Sequence, residues 1–161
     1  MQTAESPPSI GKSALVLVGL IALCQLAGAT GAFVTDASWY RALDRPSWAP
    51  PGWIFGPVWI TLYTLMGIAA WRIWRSSSPR RTTALRWFAF QLALNAAWTP
   101  VFFGARSIGG GLVIIVTLLV AIAATIVAYS RVSRLAAALM APYFAWVAFA
   151  TTLNAALWLR A

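Results

Sequence analysis

Long apolar runs separated by short polar, arginine-rich turns set the pattern of this chain. Five runs stand out, at about 13–33, 52–74, 84–104, 112–129 and 135–159. Each is close to the ~20 residues that cross a bilayer core of roughly 30 Å as a helix. In hydrocarbon every backbone N–H and C=O must be bonded within the segment, so such runs are expected to be helices. The pattern therefore predicts an all-α integral membrane protein, a five-transmembrane-helix bundle formed by residues 13–161 as one domain. Residues 1–12, polar and proline-containing, are expected to be a flexible tail.

Within the third run the polar positions are periodic. Gln91, Asn95, Trp98 and Phe102 follow steps of four, three and four, which places them on one stripe of a helix. Ala89, Ala93 and Ala97 form a second stripe on roughly the opposite face. One face is polar and aromatic, the other flat and small. Two readings of the alanines stay open, packing within the bundle or contact with a second copy, since small residues let membrane helices approach closely. Amides in hydrocarbon are costly unless bonded. Gln91, Asn95 and Asn154 therefore either join helices, at ~0.6 kcal/mol each on average, or line a cavity and orient a ligand.

Composition agrees with a membrane protein. Apolar residues make up 61% of the 161 positions and charged ones 9%, far from the soluble range. The net charge of +9 does not point to nucleic acid, because the arginines lie between the runs and form no docking face. With five spans, Lys12, Arg72, Arg75, Arg80, Arg81, Arg86, Arg131 and Arg134 share one side, and Arg41, Arg45, Arg106 and Arg160 the other. That bias predicts a cytoplasmic N-terminus. Cys24, the single cysteine, lies inside the first run and is expected to be a small packing residue. The first run is also long enough to span, so a helix rather than a cleaved signal is expected there.

Candidate chemistry is defined first by what is missing. There is no histidine, and the three acids, Glu5, Asp36 and Asp44, all lie outside the runs. Imidazole ligation of haem or metal and a carboxylate proton relay within the membrane are both excluded. No nucleophile–base pair can be assembled, so no catalytic residue and no metal site is expected. Chemistry driven by a bound photosensitiser is the one exception left open.

What is present is aromatic. Three of the ten tryptophans fall in Trp48-Ala49-Pro50-Pro51-Gly52-Trp53-Ile54-Phe55-Gly56-Pro57-Val58-Trp59. The prolines stiffen this approach to the second run, and the rings suit the border between hydrocarbon and water. The connection 34–51 adds Trp39, Tyr40, Arg41 and Arg45 and is too aromatic for a linker. Trp59 and Tyr63 stand one helical turn apart, as do Trp146 and Ala150, with Tyr143 and Leu153 near the latter face. These residues are expected to line a cavity that takes a flat apolar ligand.

The residues Trp39-Tyr40-x-x-Leu43-x-Arg45-Pro46-x-Trp48-x-Pro50-Pro51-x-Trp53, Pro57-Val58-Trp59-x-x-Leu62-Tyr63, Gln91-Leu92-x-Leu94-Asn95-x-x-Trp98 and Pro142-Tyr143-x-x-Trp146 resemble the TspO/translocator-protein family. These are the tryptophan-rich sensory proteins, similar to the peripheral-type benzodiazepine receptor. The resemblance runs from about residue 30 to 159. It implies a five-helix membrane fold, often homodimeric, in a bacterial cell membrane, that binds porphyrins, sterols and synthetic ligands between helices. No covalent cofactor is implied; a porphyrin of the protoporphyrin IX type is the expected ligand. The family pocket maps onto Thr30, Trp39, Trp48, Trp59, Asn95, Trp98, Trp146, Ala150 and Leu153. Bacterial members are associated with tetrapyrrole transport, sensing and stress-linked regulation, and some have been proposed to degrade porphyrin in light. Animal members carry a Tyr after the Leu–Asn pair as part of a sterol motif. Ala155 follows Leu153 and Asn154 here, so sterol binding loses that support. A loose match to the motif occurs instead at Val127-Ala128-Tyr129-Ser130-Arg131.

The expected ligand-binding set is thus Thr30, Trp39, Tyr40, Arg41, Arg45, Trp48, Trp59, Tyr63, Gln91, Asn95, Trp98, Tyr143, Trp146, Ala150, Leu153 and Asn154. The arginines would face the carboxylates of a porphyrin and the rings its macrocycle.

Overall fold

The computed structural model describes residues 9–34 and 37–161, without the side chains of residues 32–34 and 37. Every regular element among them is helical. In chain order they are α1 (Ile10–Val34), α2 (Ala37–Ala42), α3 (Phe55–Trp74), α4 (Arg81–Thr99), α5 (Ile108–Ser130) and α6 (Arg134–Trp158). A single 3₁₀ turn, Gly52–Ile54, leads into α3, and a π-helical turn, Pro100–Gly104, extends α4.

Against the expected bundle of five transmembrane helices, the described residues form six helices, of which four are long and apolar enough to span. The added helix, α2, is short and lies within the connection 34–51, where no apolar run announces it. Helices α1, α3, α5 and α6 are long and apolar enough to cross a membrane. Helix α4 falls short of that mark, because Arg81, Thr82, Thr83, Arg86, Gln91 and Asn95 dilute its apolar content. Boundaries moved as well. Helix α1 starts at Ile10, inside the expected tail, of which residues 1–8 lie outside the described residues.

Local chemistry explains the ends. Ser107 and Ser133 precede α5 and α6 in extended conformation, and each side chain accepts a hydrogen bond from an N–H of the first turn, Gly110 and Ala136. Such caps satisfy donors that a helix start leaves open. Arg106, at φ 51°, makes the sharp turn between the π-helical segment and α5. Pro142 sits inside α6, where it can give no N–H to the preceding turn.

Helix α5 packs on α4 and α6, α1 on α3, and α3 on α6. At the arginine-rich end the core is tight: Met66, Ala69, Ala70, Ile73, Ile122, Tyr129, Ala136 and Met140 are fully buried. Cys24 is buried there too, in keeping with a packing role. At the other end a smaller cluster of Phe102, Leu153 and Leu157 is covered by Trp39, Tyr40, Leu43 and Ala49 of the long connection. The space left between these two plugs is the site.

Candidate functional site

Between the tight core and the aromatic cap lies a cavity of about 690 Å³, within the usual range of small-molecule sites. Helix α3 contributes Trp59 and Tyr63, whose rings stack at 5.1 Å between centroids and 23° between planes. Helix α4 and its π-helical extension contribute Asn95, Trp98, Phe102 and Phe103. From α6 come Trp146, Ala150, Leu153 and Asn154, and from α5 Ile115 and Leu118. The helical spacing of these residues is what brings them to one wall. Trp146, Ala150, Leu153 and Asn154 follow steps of four, three and one, and Leu157 completes the stripe.

A chain of hydrogen bonds runs behind the wall. The Tyr63 hydroxyl donates to Oδ1 of Asn95 at 2.7 Å. Nδ2 of Asn95 donates to the Tyr143 hydroxyl at 3.0 Å, and that hydroxyl donates to Oε1 of Gln91 at 3.1 Å. Nε2 of Gln91 ends the chain on the Met66 sulfur at 3.4 Å. A separate link closes the cap end: the Trp98 indole N–H donates to Oδ1 of Asn154 at 3.3 Å, and Nδ2 of Asn154 donates to the Ile108 carbonyl at 3.0 Å. Buried polar groups that are all bonded rigidify a site. One is left over. The Trp146 indole N–H is buried and has no hydrogen-bond partner among the described residues, although Trp146 lines the cavity.

The residues singled out in the sequence thus separate into layers. Tyr40, Trp59, Tyr63, Asn95, Trp98, Trp146, Ala150, Leu153 and Asn154 line the cavity. Gln91 and Tyr143 do not reach it; they are buried behind Tyr63 and Asn95, where they hold those side chains in place. Thr30 turns its hydroxyl to the Ala27 carbonyl, as a helix-embedded Thr does, and is not on the wall. Trp39 packs edge-on against Phe102 and Phe103 as part of the cap. Trp48 packs on Phe149, outside the cavity. Arg41 is exposed, and the Arg45 guanidinium lies 5.4 Å above the Tyr40 ring. Burial raises the Tyr40 hydroxyl pKa above 10, and Arg45 beside it offsets part of that rise.

Several wall residues carry no signal that sequence reasoning used. Ile115 and Leu118 belong to a helix that is apolar all round, so no stripe marks its inner face. Gln25 was legible in principle as a lone amide inside an apolar run; it lines the cavity from α1. In the loose sterol pattern Val127, Ser130 and Arg131 are exposed, but its Tyr129 is fully buried.

Comparison with known sequences matches this architecture to a family. The profile of the TspO/MBR family matches residues 20–159. This chain belongs to the TspO/MBR family. It is similar to the human translocator protein, at 48% identity over 123 residues, 74% of this chain and 73% of the other. The tryptophan-rich protein TspO of Chlorobaculum tepidum is 41% identical over 152 residues, 90% of this chain and 95% of the other. The tryptophan-rich sensory protein of Cereibacter sphaeroides is 37% identical over 134 residues, 83% and 84% of the two chains. In this chain Trp59, Trp98 and Trp146 stand on three of the helices that wall the cavity.

Proposed function

We propose that this TspO/MBR-family membrane protein binds a tetrapyrrole of the protoporphyrin type in its aromatic cavity and acts in tetrapyrrole sensing or transport. One observation carries the reading: an apolar cavity of about 690 Å³ walled by Trp59, Trp98 and Trp146. A porphyrin is a flat apolar disc with polar atoms at its rim. Aromatic walls suit its faces. Arg45, held over Tyr40 at the cap, is placed to meet a propionate.

Among the described residues, none that lines the cavity is charged. The Tyr40 and Tyr63 hydroxyls are the titratable groups on the wall, and with no charged residue on the described wall beside them the lining favours holding a ligand over conventional acid–base catalysis. The names of the relatives, one a translocator and one sensory, fit a binding role followed by release or by signalling to a partner. The basic bias further leads us to infer a cytoplasmic N-terminus; cysteines placed at positions 78 and 161 should label from opposite sides.

Titration of the purified protein with protoporphyrin IX in darkness tests the reading. Saturable binding near one porphyrin per chain supports it, and the absence of saturable binding overturns it. Loss of the porphyrin bands only under light would add turnover of the ligand to its binding.

A further inference from the structure

A groove of about 380 Å³ lies on the outside of α4, lined by Thr83, Arg86, Trp87 and Phe90. It shares no lining residue with the aromatic cavity. Steps of three, one and three keep the four residues on one side of the helix, near its start. All four are exposed, and the Trp87 and Phe90 rings meet edge-on at 6.0 Å between centroids. The groove is thus polar toward the arginine-rich end of the bundle and aromatic toward the middle of the membrane.

Charge at that end is one-sided. Lys12, Arg72, Arg75, Arg80, Arg81, Arg86, Arg131 and Arg134 gather there. Asp44, the one acid among the described residues, is at the far end, paired with Arg160 at 3.5 Å. Two of the arginines are engaged within the chain. Arg75 lies 4.8 Å over the Trp71 ring, and Arg81 reaches the carbonyls of Trp74 and Ser76 at 3.4 Å. Arg86 is not engaged in this way. Among the described residues, neither its guanidinium nor the Thr83 hydroxyl has a hydrogen-bond or ion-pair partner. An arginine without a counter-ion, beside an aromatic groove, matches an amphiphile with the opposite charge at its head. A second copy of this chain does not supply that charge; crossing the membrane the same way, it brings its own Arg86 to the same depth.

We propose that this groove binds an anionic phospholipid of the leaflet at the arginine-rich end. Arg86 meets the phosphate, Thr83 adds a hydroxyl, and the upper part of an acyl chain lies along Trp87 and Phe90. The guanidinium fork matches phosphate oxygens, and basic sites at the membrane surface favour anionic head groups. The two rings suit the chain just below the head group, at the border of hydrocarbon and water. The site does not depend on the tetrapyrrole reading.

The test uses protein in phosphatidylcholine vesicles that carry a rising fraction of a lipid brominated near the head of one acyl chain. The brominated lipid is either phosphatidylglycerol or phosphatidylcholine. Bromine quenches a tryptophan that it touches, and subtracting the signal of the Trp87→Phe variant isolates Trp87. The association constant of phosphatidylglycerol relative to phosphatidylcholine at Trp87 is expected to be about five, the factor that one arginine near the membrane surface contributes. Arg86→Gln should bring that ratio to about one. Arg134→Gln removes the same charge at the same end, but on α6 and outside the groove, and should leave the ratio unchanged. Both arginines are exposed, and equal melting temperatures in phosphatidylcholine alone show that the variants keep the fold. Equal constants for the two lipids in the wild type, or a ratio that Arg86→Gln leaves intact, would overturn the site. So would an equal fall in both arginine variants, which is a diffuse lipid layer held by net charge. A Trp87 that neither lipid quenches would mean that a second copy covers the groove, and that result overturns the proposal too.

Discussion

Tyr63 and Asn95, on neighbouring helices, are joined by a hydrogen bond of 2.7 Å deep in the bundle. The Tyr63 ring stacks on Trp59 with 23° between planes, and the bond holds the Asn95 side chain at the cavity wall. Because Asn95 also donates to Tyr143, one amide ties α3, α4 and α6 together at the back of the site. The chain through Gln91 to Met66 leaves none of the five side chains unbonded.

Removing that amide should therefore cost stability as well as shape. Asn95→Ala strands the buried Tyr63 hydroxyl and leaves that of Tyr143 with its bond to Gln91 alone, and a stranded buried group costs about 1–3 kcal/mol. Tyr63→Phe removes one partner and should cost less. The double variant should show coupling between the two sites of about 0.5–3 kcal/mol. Thermal or denaturant unfolding of the four proteins in one detergent checks this; strict additivity would mean that the bond does not contribute.

Two glycines of α3 should respond in opposite ways to the same change. Gly67→Ala forces a methyl against the Ile21 backbone, and overpacking of this kind costs about 1–3 kcal/mol. Gly56→Ala meets nothing within 4 Å and should be neutral or stabilising by about 0.5–1 kcal/mol through helix propensity. Comparing the melting temperatures of the two variants decides it.

Much of this site could be read from the sequence, and the unread part has a physical cause. The α4 stripe was legible because polar and aromatic residues recur at helical spacing in a run that is otherwise apolar. Its opposite stripe behaves as its chemistry suggests, since Ala89, Ala93 and Ala97 are exposed in the single chain. Periodicity says which face is special but not how far a side chain reaches. Gln91 and Asn95 share a stripe, yet one is buried behind the wall and the other is on it. Helix α2 escaped because six residues without an apolar run carry no period.

The exposed alanines lead to a prediction about assembly. A flat stripe on α4 suits a second copy of the same helix, and the fold of one chain leaves it uncovered. Ala93→Leu should shift the protein toward monomer in detergent and in lipid, with ligand binding retained. Sizing by light scattering checks this; an unchanged oligomer would place any contact between copies elsewhere.

Ala150 contributes by the space it leaves. It lies on the cavity wall one turn after Trp146, so Ala150→Thr pushes two heavy atoms toward the ligand. Overpacking a fitted site costs about 1–3 kcal/mol, roughly 5- to 150-fold in affinity. The fold should hold, because a Thr hydroxyl can bond back to the helix, as Thr151 does to the Val147 carbonyl at 2.7 Å. Porphyrin titration beside a thermal melt of the free protein separates the two effects.

The central claim is that a tetrapyrrole lies inside the bundle, between the tryptophans, and an experimental structure of the protein with zinc protoporphyrin tests it most directly. The account predicts macrocycle density between Trp59, Trp98 and Trp146. A macrocycle found only on the lipid-facing surface, with the cavity empty or filled by lipid, would contradict it.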